Sequence, residues 1–109
     1  MDTETMAIAL QDAWPGLPSG LGEVLKKEWD ALTPRIEAVE MAGVPEGEAH
    51  PINEFTMPLA NMARTAGFHH DAQGKEFIAA AIDAAGVPAH LRSTVSTTFA
   101  VQLLSRGSE

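Results

Sequence analysis

Twice in 109 residues the chain repeats nearly the same phrase, AVEMAGVP at 38–45 and AIDAAGVP at 81–88, and a related one, MARTAGF, stands at 62–68. The physical content is a helix stop. An α-helix leaves its last four carbonyls without intrahelical partners. A glycine just past the end turns left-handed and aims backbone N–H groups at those carbonyls, and the apolar residue after it packs back on the last turn. Gly43–Val44–Pro45 and Gly86–Val87–Pro88 fit this chemistry, and Gly67–Phe68 fits it without the proline. The sequence therefore predicts three helix ends of one kind. An internal duplication explains the likeness less well. The 43-residue offset pairs Trp29 with Ala72, Leu32 with Lys75 and Glu48 with Leu91, so the match dies on both sides.

With the stops fixed, the starts follow. Met6, Leu10 and Ala13 form one apolar stripe and predict a first helix over about 5–13, ended by Trp14–Pro15. WPGLPSGLG is a Pro/Gly loop, and Ser19 can cap a second helix over 20–32, whose buried face holds Leu21, Val24, Leu25, Trp29 and Leu32. Thr33–Pro34 reads as the cap and first residue of a short third helix, 34–42, with a kinked continuous helix over 20–42 as the alternative. Residues 44–53 form an irregular acidic loop. Phe55, Leu59, Met62 and Ala66 mark a fourth helix, with Thr56 as its N-cap and Pro58 near its start. A fifth runs from Asp71 to Ala85. The last starts at Pro88 or Ala89 and carries Leu91, Val95, Phe99 and Leu103 on one face. STVSTT at 93–98 has poor helix propensity, so a strand over 94–104 competes with the helix, but no second strand candidate exists to pair with it. Residues 105–109 read as a frayed tail. The fold class that results is all-α: a compact bundle of five to six short helices in a single domain.

Composition narrows the function classes. The formal charge is −8, and residues 1–55 carry all of it, with eleven acids against three bases; residues 56–109 carry four of each sign. Scattered cations on an acidic chain argue against a nucleic-acid backbone or an anionic membrane surface as partner. There are no cysteines, so disulfides and thiolate metal sites are excluded, which fits a reducing, cytoplasmic setting. The start MDTETMAIALQDAWPG lacks a basic region and a long apolar run, so no secretory signal is expected, and no stretch of about 18 apolar residues predicts a membrane span.

Chemistry-bearing clusters are few. His69–His70–Asp71 adjoin at a helix start, and His50 lies in the acidic loop with Glu54 beyond it; imidazole and carboxylate are the ligands a divalent transition metal would take in a cysteine-free chain. His90 lies past the far end of the fifth helix, about 20 Å from the 69–71 turn at 1.5 Å per residue, which counts against one site holding all of them. No HExxH, no Glu-x-x-His pair and no calcium loop occurs. His90 shares a predicted helix face with Ser93 and Thr94, but a nucleophile elbow and an orienting acid are missing. Glu37 and Glu40 read as a solvated face, and Gly16, Gly20 and Gly22 form no phosphate loop. The expectation is a non-catalytic, cofactor-free protein-interaction module or accessory subunit that binds protein, including a second copy of itself, through Trp14, Leu17 and Leu21. The alternative is a metal-binding protein or metal-dependent enzyme using His69, His70, Asp71 and His50.

Overall fold

The computed structural model describes residues 3–68 and 71–107. Among them five helices occur and no strand: α1 (Thr3–Ala13), α2 (Leu21–Ala42), α3 (Ile52–Thr65), α4 (Asp71–Ala85) and α5 (Ala89–Gly107). The all-α class holds. α3 packs most extensively on α5, α2 lies along α4, and α1 covers α3. One core cluster draws on all five helices.

The three glycine stops divide into two kinds. At Gly86 (φ 75°) the backbone closes as expected: Gly86 N–H reaches Ile82 O (3.1 Å), Val87 N–H reaches the same carbonyl (3.2 Å), and Val87 is 2% exposed. The turn after α3 closes the same way, with Phe68 N–H on Ala63 O (2.8 Å) and the Phe68 ring buried. At Gly43 only the N–H to Val39 O bond forms (2.7 Å); ψ is 168°, and Val44 stays 41% exposed. The difference is packing. The last turn of α2 carries the almost fully exposed Met41, so this end of the helix lies off the core and Val44 is not drawn into it.

Prolines fail to end two helices. α2 runs 22 residues through Pro34, so the continuous alternative is the observed one and the count is five rather than six. Thr33 is no cap: its hydroxyl donates to Trp29 O (3.0 Å) inside the helix. Pro34 removes the bond to Asp30 O, and both residues lie on the solvent side, where water can take that carbonyl. Pro58 in α3 repeats the pattern with Glu54. α3 also begins four residues before the predicted cap. His50 starts it instead: its Nδ1 accepts the Ile52 N–H (3.1 Å) and its carbonyl accepts from Asn53 N–H (3.0 Å) and Asn53 Nδ2 (2.9 Å). Thr56 is a core residue whose hydroxyl is fully buried with no protein partner.

α5 is helical through STVSTT, and the strand reading is overturned. Val95 and Phe99 are buried against the bundle, and that packing outweighs weak local propensity. α5 continues to Gly107, into the segment read as a tail; residues 108–109 lie outside the described residues.

Two stability predictions follow from these differences. Val87→Ala should cost about 2 kcal/mol in urea unfolding, while Val44→Ala should stay within about 0.5 kcal/mol of the parent. Thr56→Val should stabilise by about 1 kcal/mol, because it removes a buried hydroxyl that has no partner; a cap residue would show the opposite sign.

Candidate functional site

The residues expected to form a contact surface have other work. Leu21 is a buried core residue, 2% exposed. Trp14 and Leu17 are partly buried and pack against the core. The Trp14 ring sits 5.0 Å from Phe68 and 6.4 Å from Phe77, centroid to centroid. All six aromatic residues of the chain lie in such tilted or edge-on contacts, with Trp29 on Phe55 (5.1 Å) and Phe77 on Phe99 (6.1 Å) completing the set. Aromatics beside a Pro/Gly loop suggested an exposed anchor, but here the loop folds its indole back into the bundle.

Most of the residues of the metal alternative fall outside the described ones. Among the described residues no group of three His, Asp or Glu side chains is placed to hold an ion. His69 and His70 lie outside the described residues, as does the side chain of Asp71. His50 uses Nδ1 to cap α3, and Glu54 pairs with Arg35 across the α3–α2 contact. His90 Nε2 meets Glu40 Oε2 of α2 (3.0 Å) rather than the hydroxyls of its own helix. This pair borders a shallow hollow of about 370 Å³ between the end of α2 and the start of α5, walled by Trp29, Glu37 and Met41.

A second concavity has a different character. α4 and α5 line a groove of about 310 Å³, with the buried Ile78, Phe99 and Leu103 at its floor and the exposed Lys75, Val101 and Leu104 at its edge. Gly74 makes the floor possible: a Cβ there would stand 3.3 Å from Leu103 Cδ2, so the two helices meet closely at that point. The outer edge is unusual for an acidic protein. Val101 and Leu104 are 57% and 59% exposed, although Leu91, Val95, Phe99 and Leu103 already supply the buried stripe of α5. The thirteen residues between Arg92 and Arg106 carry no charge. Ser93, Thr94, Thr97 and Ala100 complete an exposed, uncharged face on this helix. The signal was present in the sequence. A solvent-facing helix stripe is ordinarily charged, and two aliphatics stand outside the stripe the core needs.

Comparison with protein-family models, curated proteins and solved structures found no match. No helix among the described residues is long and apolar enough to cross a membrane.

The position of Trp14 generates a prediction. Trp14→Ala should lower unfolding stability by about 2–3 kcal/mol, read from urea denaturation followed by circular dichroism, since it removes a ring packed on two others. A change below about 0.5 kcal/mol would mean the indole is a surface group after all.

Proposed function

We propose that this chain is a non-catalytic protein-interaction module or accessory subunit, and that its contact surface is the α4–α5 groove with the Val101–Leu104 ridge. The observation that carries the reading is the exposure of these two aliphatics on an uncharged helix face beside an apolar groove. Residues of this kind in water cost solubility without adding to the core, and a partner that covers them removes that cost. The net charge of −8 favours protein over nucleic acid as that partner. The cytoplasmic setting expected of a cysteine-free chain belongs to the same proposal.

A photo-crosslinking side chain placed at Val101 of the full chain tests the reading directly. Adducts to protein should form at this position in cell extract and should be lost when Leu104→Glu is added. The same group at the exposed Ala31 of α2 should give none. Equal labelling at both positions, or labelling at neither, overturns the assignment of the groove.

A further inference from the structure

We infer that the hollow between the end of α2 and the start of α5 is a second docking surface, and that it takes a protein segment in which a lysine or arginine stands beside an apolar side chain. The inference is independent of the α4–α5 groove, with which this hollow shares no lining residue.

Charge calls for the basic part. The hollow is lined by Glu37, Glu40 and His90 and by no lysine or arginine. Glu40 is answered by His90, whose Nε2 lies 3.0 Å from Oε2. The Glu37 carboxylate has no hydrogen-bond or ion-pair partner among the described residues. The arginines nearest in sequence are committed elsewhere, Arg35 to Glu54 and Arg92 to Asp83. The backbone adds to the imbalance. A helix C-terminus carries partial negative charge and favours basic residues in its last turn. α2 has none there and closes instead on Glu37 and Glu40. No lysine or arginine follows before Arg64, whereas Glu46, Glu48 and Glu54 do. This end of the molecule lacks a cation of its own.

The lining calls for the apolar part. Trp29, Ile36 and Leu91 are core residues that also line the hollow, so its base is apolar. Met41 lines it too and is 90% exposed, one turn on from Glu37 and on the same side of α2. A flexible thioether in water suits an adaptable contact. An apolar side chain laid between Met41 and the base loses its water while a neighbouring basic group meets Glu37. A bare metal ion leaves Met41 and the base uncovered. A wholly apolar segment covers Glu37 without a counter-charge, which is costly.

Fluorescence anisotropy tests this, with a dye-labelled peptide alternating arginine and leucine titrated with the full chain at low salt. The expected result is saturable binding that Glu37→Gln and Met41→Ser each weaken at least about fivefold. Both side chains are exposed, so the helical circular-dichroism signal should not change. Glu23→Gln removes the same charge from the start of α2, and Ile8→Ser removes an exposed apolar side chain from α1; both should stay within about twofold. Absence of binding overturns the inference. Equal weakening by Glu23→Gln overturns it as general attraction to an acidic chain, and indifference to Met41→Ser overturns the apolar half. If hexylammonium binds by calorimetry and the peptide does not, the occupant is a small organic cation and the protein segment fails. If Leu104→Ser abolishes peptide binding and Glu37→Gln does not, the peptide sits in the α4–α5 groove; this inference then fails while that groove stands. Crosslinking at Val101 should be indifferent to Glu37→Gln, so the two surfaces can fail separately.

Discussion

The bundle depends on where one ring goes. Phe77, on α4, is completely buried and touches Trp14 from the loop after α1, Phe68 from the turn after α3, and Phe99 from α5. Four segments distant in sequence are thus joined through one side chain, each contact edge-on or tilted as ring quadrupoles prefer. This convergence has a backbone precondition. Phe68 reaches Phe77 because α3 ends at Gly67 (φ 87°) with Phe68 N–H bonded back to Ala63 O, which turns the chain inward at that residue. A local hydrogen-bond device sets a long-range contact, and the same logic delivers Val87 to the core after α4.

That dependence runs both ways, and it explains what could be read in advance. The helix stops, the α4 span and the apolar stripe of α5 were legible because each is a property of a few neighbouring residues. Gly43 shows the limit. Its phrase matches that of Gly86 almost letter for letter, yet Val44 stays exposed, because a helix stop of this kind is complete only where core exists to receive the next side chain. Pro34 and Pro58 misled for a related reason. A proline breaks a helix chiefly by orphaning a carbonyl four residues earlier, and both carbonyls here belong to solvent-facing residues, so the loss is small and packing of Trp29, Ile36, Phe55 and Leu59 carries the helix through.

Other features were out of reach of local reading because distant side chains make them. Gln11 of α1 donates to Ala66 O at the end of α3 (2.7 Å). Arg92 of α5 donates Nε to Val87 O (3.0 Å) at the end of α4 while its other arm holds Asp83. Gln102 of α5 reaches Asn53 (2.7 Å) at the start of α3, next to the capping His50. The C-terminal ends of α3 and α4 are thus each finished by a side chain from another helix, which ties the position of one element to another. The same arrangement uses His50 through Nδ1 as a cap and His90 through Nε2 as a tie between α5 and α2.

The proposed contact surface lies on a regular helix rather than at the Pro/Gly loop. Aromatic residues near loops attract attention as anchors, but the six aromatics of this chain pack on one another, five of them buried and Trp14 partly so. The exposed aliphatics Val101 and Leu104 sit on a regular helix. Leu91, Val95, Phe99 and Leu103 repeat at the spacing that buries one face, so Val101 and Leu104 stand outside that face by geometry alone, and the uncharged run around them removes the polar cover such residues usually have. Folding gives no reason for that composition, since the helix is held by its other side. On the proposed reading, a protein that covers this surface removes the solubility cost of keeping it apolar.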